Sequence, residues 1–281
     1  MTPTAQIPNP ISQGAGLRIG LFDSGLGGLS VLRALRQHLP LADLLYVADS
    51  GNAPYGERDD AFIAQRALHI SDFLRSQQAQ AIVVACNTAT AVAVHTLRQH
   101  LPNFPIIGVE PGVKPAVAHS INKRIGVLAT PSTLASAKFK HLIERHGQGA
   151  EIFLQACPGL AKEIEAGQLD TPALRELVAR FSEPLRQAQV DTVVLGCTHY
   201  PFVSTLFQEA LGHEVRIIDT AEAVARHAAR VCLTNGTNTP ILATDPSAIA
   251  SSRLWTSGNP ADLGNIAKRW LSLEAQVHAL A

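Results

Sequence analysis

IVVACNTAT (Ile82–Thr90) and VVLGCTHYP (Val193–Pro201) are the two stretches on which the fold of this chain turns. Each begins as a short run of aliphatic and β-branched residues, the composition of a strand buried on both faces. Each run then stops at a cysteine followed by small polar residues. Beyond the cysteines the pattern becomes helical, TATAVAVHTL after Cys86 and PFVSTLFQEAL after Cys197. A thiol where a strand ends and a helix begins, found twice, suggests that the two thiols work as a pair.

Outward from these stretches the same rhythm repeats. RIGLF (Arg18–Phe22) precedes the Gly-rich turn DSGLGG and the helical LSVLRALRQHL, and DLLYVAD precedes the loop GNAPYG and an amphipathic segment from Glu57. IIGV, RIGVLA, EIFLQA, TVVLG and VRIID continue the strand signal. Strands alternating with helices indicate parallel sheets covered by crossover helices.

The chain also resembles itself. RIGLFDSGLGGLS (Arg18–Ser30) aligns with RIGVLATPSTLAS (Arg124–Ser136), the two cysteine stretches align with each other, and PIIGVEPGV (Pro105–Val113) aligns with RIIDTAEAV (Arg216–Val224). Three matches in the same order and at nearly the same offset point to a duplication. The expected fold is therefore α/β, with two similar doubly wound parallel-sheet lobes related by a pseudo-two-fold axis and a site in the cleft between them. The expected division is a flexible tail over 1–16, a first lobe over 17–109 plus 222–281, and a second lobe over 110–221. The last stretch, ILATDPSAIASSRLWTSGNPADLGNIAKRWLSLEA, is expected to rejoin the first lobe with a strand and a terminal helix.

Composition narrows the function. The 281 residues contain 23 Lys plus Arg against 23 Asp plus Glu, so no net field draws the chain to nucleic acid or to an anionic membrane. No apolar run is long enough to span a bilayer, and MTPTAQIPNPISQGAG lacks the form of a signal peptide. Four widely spaced cysteines do not make a disulfide scaffold; reduced thiols in a cytoplasmic protein are expected. Cys157, which has no duplicated partner, and Cys232, late in the helical TAEAVARHAARVCL, read as small buried hydrophobes.

Cys86 and Cys197 fall where open parallel sheets bind ligands, beyond the carboxyl ends of the strands. A helix amino terminus favours a thiolate, so both are expected to carry protons near neutral pH. Opposed acid and base groups suit proton removal from one face of a carbon and return to the other, with inversion of a stereocentre. The carbanion also needs donors already in place, and Asn87, Thr88, Thr130, Ser132, Thr198 and the amides after Asp23 could supply them. Asp23 and Ser24 open the glycine turn, where Asp23 could equally cap the following helix. His199 can share a cleft with Cys197 if the backbone turns between them. Tyr55, with Gly56, follows a proline at another strand end and could close over a small polar substrate or form a plain turn. The helical setting LAKEIEAG makes Glu165 read as a solvated carboxylate.

Other chemistries remain open at this stage. Cys86, Cys197 and His199 could supply three zinc ligands, but no CxxC or HxxxH pair supports a metal site, and none is expected. DSGLGG lacks the Lys-Ser/Thr ending of a phosphate-binding loop. A cysteine hydrolase built on Cys197, His199 and Asp23, or a two-lobed amino-acid-binding protein without catalysis, would also use such residues.

GLFDSGLGGLSVL, VADSGNAPYG, ACNTATA, GVEPGVKPA and GCTHYPF, in this order from Arg18 onward, resemble the aspartate/glutamate racemase family. The resemblance implies cofactor-independent interconversion of L- and D-glutamate, a supply of D-glutamate for bacterial peptidoglycan, and a homodimer. It also implies Cys86 and Cys197 as catalytic thiols, Cys86 abstracting from the D isomer and Cys197 from the L isomer. Asp23 and His199 are implied as their polar assistants. Asp23 with Ser24, Tyr55 with Gly56, Asn87 with Thr88, Thr198 with His199, and Thr130 are implied as substrate ligands, and Glu165 as an auxiliary group. Aspartate or another amino acid is the alternative substrate. Two departures stand out: Ala129 where the family often has glycine, and the absence of the usual bulky pair after Cys157 and Pro158.

Overall fold

The computed structural model describes residues 16–234 and 251–280. The expected tail up to residue 15, and ILATDPSAIA of the return segment, lie outside the described residues. In chain order the elements are β1 (Arg18–Asp23), α1 (Leu29–His38), β2 (Asp43–Ala48), α2 (Asp60–Ser76), β3 (Ala81–Val84), α3 (Asn87–His100), β4 (Ile106–Gly108) and α4 (Val113–His119). Then follow β5 (Arg124–Ala129), α5 (Pro131–Ala135), α6 (Ala137–His146), β6 (Glu151–Ala156), α7 (Leu160–Glu165), α8 (Pro172–Gln187), β7 (Thr192–Gly196) and α9 (Ser204–Leu211). β8 (Arg216–Ile218), α10 (Ala221–Thr234), β9 (Ser252–Thr256), α11 (Pro260–Leu271) and β10 (Gln276–Ala279) complete the chain.

The strands form two parallel sheets, one ordered β10-β9-β2-β1-β3-β4 and the other β6-β5-β7-β8. Within each, four successive strands take the same order: second, first, third, fourth. The repeated sequence segments thus coincide with topologically equivalent strands, β1 with β5, β3 with β7 and β4 with β8. The first sheet is widened by β9 and β10 beside β2.

Both sheets are covered on both faces, which the period of two along a strand makes possible. Ile19 and Leu21 of β1 pack with Leu29 and Leu35 of α1 and Ala225 of α10, while Phe22 packs with Ile63 and Ile70 of α2. Gly20 is required by the close approach of α2, because a Cβ there would stand 3.0 Å from Leu74. In the second sheet Leu128, Val193 and Leu195 meet Val178 and Phe181 of α8, and Ile125 and Val127 meet Phe139 of α6. Each such burial contributes about 1.5–3 kcal/mol, so the layers are held chiefly by apolar area.

The end of the chain departs from the sequence expectation. A terminal helix through LSLEA is cut short: α11 stops at Leu271, Ser272 adopts a left-handed conformation with φ 52°, and the chain returns as β10 parallel to β9. The largely exposed Gln276–Ala279 has the character of an edge strand, which periodicity alone does not separate from a helix tail.

The lobes meet strand end to strand end. Thr198, after β7, donates to Asp23 at the end of β1 over 3.0 Å, and Thr88, after β3, bonds Thr130 after β5 over 3.1 Å. Exchanging the lobes exchanges β1 with β5 and β3 with β7, so each contact is the counterpart of the other. Such reciprocity is the mark of a two-fold relation.

Candidate active site

Each thiol is carried to the seam by its strand. β3 ends at Val84 and Cys86 becomes the amino-terminal cap of α3, its sulfur accepting from the Ala89 amide at 3.4 Å and donating to Ser24 Oγ at 3.8 Å. β7 ends at Gly196, and the chain then turns, with the Tyr200 amide donating to the Cys197 carbonyl at 3.2 Å. That turn brings His199 Nδ1 to 3.8 Å from Cys197 Sγ. The helical pattern expected after Cys197 opens as a 3-10 turn (Tyr200–Val203) and becomes an α-helix at Ser204, and the group beside the sulfur is the His199 imidazole. Both thiols are nearly enclosed, with 5% and 7% of their surface exposed.

Enclosure changes the chemistry expected of Cys86. Burial, reinforced by the nearby Asp23 carboxyl and by charge on Cys197, pushes its thiol up to about 12 despite the amide at its helix terminus. The helix terminus alone suggested a thiolate; in this closed arrangement Cys86 is a thiol, a proton donor.

Asp23 is wholly buried. Its Oδ2 accepts from the Gly25 amide and its Oδ1 from Thr198, each at 3.0 Å. Burial, partly offset by His199, holds its carboxyl above the usual range. The alternative of a helix cap does not apply, since α1 is capped at Gly28 without any side chain.

Glu165 is the largest departure from the sequence reading. The end of α7 faces the first lobe, and the carboxylate accepts from the Leu26 amide at 2.8 Å, from Ser50 Oγ at 2.8 Å and from His199 Nε2 at 2.6 Å. Burial opposes its charge, yet these donors outweigh burial and lower its pKa. His199, 2% exposed, also resists charging through burial, but Cys197 and Glu165 prevail and raise its pKa well above the ordinary value. An imidazolium–carboxylate pair therefore sits behind Cys197 at neutral pH.

The remaining candidates gather around the same seam. Thr130 caps α5, accepting from the Thr133 amide at 3.2 Å, and its hydroxyl donates to Thr133 Oγ1. Gly56 lies against it: a Cβ there would fall 2.9 Å from Thr130 Cβ. Asn87 is buried with neither side-chain polar atom hydrogen-bonded, an uncommon condition that a ligand would relieve. Tyr55 is different, because its ring is buried in the first lobe and its hydroxyl donates to Asp49 Oδ2 at 2.5 Å. Its phenol is therefore engaged within the first lobe, in the field of Cys86, and it is Gly56 that lies against Thr130 of the second lobe.

Several participants escaped the sequence reading. Ser50 is a partner of Glu165, and Asp49 directly follows β2, one residue beyond the strand partner of Asp23. A carboxylate just past a buried strand was the available signal. Cys157 and Cys232 are buried, and burial raises both thiols. Tyr200, whose phenol has no oxygen or nitrogen partner, lies in the field of Cys197 and Cys157. Among the described residues no three His, Cys, Asp or Glu side chains are grouped to hold a metal, and no helix is long and apolar enough to cross a membrane.

Two equivalent α/β lobes that enclose paired thiols, a buried imidazolium and a buried acid describe a two-lobed enzyme of proton transfer at carbon. The chain belongs to the Asp/Glu/Hydantoin racemase family, whose model matches residues 29–228. It is 50% identical over 245 residues to the glutamate racemase of Methylococcus capsulatus, covering 87% of this chain and 88% of that one. Among solved structures it resembles glutamate racemase isoform RacE1 from Bacillus anthracis, with TM-score 0.83, 30% identity and coverage of 95% and 98%. It also resembles the Escherichia coli glutamate racemase in complex with L-glutamate, with TM-score 0.82, 28% identity and coverage of 94% and 98%.

Proposed function

We propose that the protein interconverts L- and D-glutamate without a cofactor, the two thiols serving opposite faces of the α-carbon. The observation that carries this reading is the pair of enclosed thiols at equivalent strand ends of lobes that contact each other reciprocally. A two-fold relation presents equivalent groups from opposite sides of whatever lies on the axis, the arrangement that inversion needs.

From L-glutamate, the Cys197 thiolate takes the α-proton, and the electron pair of the broken C–H bond stays on the substrate. The Cys86 thiol then gives its proton to the other face, leaving D-glutamate, a Cys197 thiol and a Cys86 thiolate, which is the state needed for the reverse reaction. The high pKa of Cys86 fits its role as the donor in this direction. The influence of Cys197 charge on Cys86 disfavours two thiolates at once, which keeps one acid and one base in the site. His199, held charged by Glu165, is the counter-ion for a Cys197 thiolate 3.8 Å away. Asp23 with Ser24, the backbone of Tyr55 and Gly56, Asn87 with Thr88, Thr130, and Thr198 with His199 would hold the amino and carboxylate groups. Direct contacts across the seam require the lobes to part for substrate to enter. The working division is a first lobe of 17–109 plus 222–281 and a second of 110–221. A cytoplasmic homodimer supplying D-glutamate for peptidoglycan completes the proposal.

Polarimetry of the purified protein with L-glutamate, without pyridoxal phosphate and with a chelator present, tests it. Turnover under these conditions supports the reading; a strict need for either addition overturns it. Cys86→Ala should abolish full racemisation, whereas a hydrolase acting through Cys197 would keep its turnover. Binding of glutamate without exchange of its α-hydrogen into deuterated water would make the protein a binding protein instead, and a faster initial rate with L-aspartate would reassign the substrate.

A further inference from the structure

Asp49 has no part in the proton transfer described above, yet it is fully buried and its carboxylate accepts five side-chain hydrogen bonds. Oδ2 accepts from Tyr55 Oη at 2.5 Å and Arg66 Nε at 2.9 Å. Oδ1 accepts from Arg66 Nη2 at 2.7 Å, Ser257 Oγ at 2.7 Å and Asn52 Nδ2 at 3.0 Å. Burial alone would raise its pKa, but Arg66 and the other donors outweigh burial and lower it, so the group is an anion. Its amide also donates to the Asp23 carbonyl at 3.0 Å, which ties it to the end of β1.

The donors come from three places: the turn after β2 (Asn52, Tyr55), α2 (Arg66), and the segment after β9 (Ser257). The turn is the one that reaches the second lobe. Ser50 Oγ donates to Glu165, and Gly56 lies so close to Thr130 that a Cβ would clash. Residues 50–57 contain short helical turns but no strand or long helix to hold them, so their placement depends on what their side chains grip.

We propose that Asp49, held by the forked Arg66 guanidinium, is a positioning residue that clamps the 50–57 turn through Asn52 and the Tyr55 phenol. The clamp places the Tyr55–Gly56 backbone at the correct distance from Thr130 for substrate to be gripped when the lobes close. On this view the Tyr55 hydroxyl serves the protein and only its backbone serves the ligand. The substrate part of the proposal rests on the racemase reading above; the clamp itself does not.

Two measurements on the full chain test the two parts separately. Hydrogen–deuterium exchange, without substrate, should show faster exchange at the amides of residues 52–58 in Asp49→Asn and in Tyr55→Phe, with β1 and β3 unchanged. Unaltered exchange in both variants overturns the clamp, whatever the activity. Steady-state kinetics should show KM for L-glutamate rising roughly tenfold with kcat held within about threefold, the signature of lost ground-state positioning. Arg66→Lys, which keeps the charge but not the fork, should fall between wild type and Asp49→Asn. A loss confined to kcat, or an unchanged KM alongside faster exchange, overturns the link to substrate. If Asp49→Asn does not fold, Tyr55→Phe, which removes one bond and no charge, carries both measurements. If wild type fails to turn over glutamate, the racemase reading fails while the exchange arm still decides the clamp.

Discussion

Replacing Gly25 by alanine tests the buried His199–Glu165 pair without touching either residue. Gly25 does not use a left-handed backbone, so alanine suits its local conformation. Its added Cβ, however, would stand 2.2 and 2.4 Å from the Glu165 oxygens and 2.5 Å from the carboxyl carbon, where ordinary contact begins at 3.4 Å. The carboxylate must retreat by about 1 Å, and a side chain with three rotatable bonds can do so at a steric cost of only about 0.5–1.5 kcal/mol. What it cannot keep is its set of donors, the Leu26 amide, Ser50 and His199 at 2.6–2.8 Å. A charge-assisted hydrogen bond contributes about 1.5–3 kcal/mol, so detaching His199 should lower kcat/KM by roughly 10- to 150-fold. Racemisation followed by circular dichroism across pH would reveal a second effect. With Glu165 displaced, the His199 pKa falls, and the alkaline limb of the profile moves to lower pH. Glu165→Gln should give the same phenotype, and the double variant should be little worse than either single one, because both remove one interaction. Wild-type kcat/KM in Gly25→Ala, or fully additive losses in the double variant, would refute the role assigned to the pair.

Other outcomes follow from the same geometry. Asp23→Asn should raise the thermal midpoint at pH 7 while cutting racemisation by ~10²-fold or more. A carboxyl whose folded pKa is raised by burial destabilises the fold once ionised, so the gain should shrink as pH falls through that raised pKa and vanish below the ordinary carboxylate value of 3.8. The His199–Glu165 pair should stabilise a window of pH, measured by urea denaturation. The Glu165 contribution is present above its unfolded value of 4.5 and is lost as pH falls through its lowered folded pKa. The His199 contribution is complete below 6.5 and is lost as pH rises through its raised folded pKa. Gly56→Ala should hinder closure against Thr130 and lower kcat/KM by roughly tenfold, chiefly through KM, with thermal stability nearly unchanged.

The alternation of strands and helices, the duplication, and the placement of Cys86 and Cys197 at equivalent strand ends are legible in the residues alone. These are local properties: apolar runs, turn residues and spacing, all written within a dozen positions of one another. Tertiary structure decided what lies across the seam. Glu165 reaches an amide 139 residues away, so no local pattern could distinguish it from a solvated helix carboxylate. Whether Cys86 is thiol or thiolate also depends on the docked lobes, because the helix terminus is local but the burial that overrides it is not. Asp49 gains its role only where α2, the turn after β2 and the segment after β9 converge on it, from positions up to 208 residues away. The final strand escaped detection because four residues, three of them exposed, carry too little periodic signal, and pairing with β9 settles their conformation. Periodicity prescribes elements, whereas charge state and partnership depend on distances that exist only once the two lobes have packed.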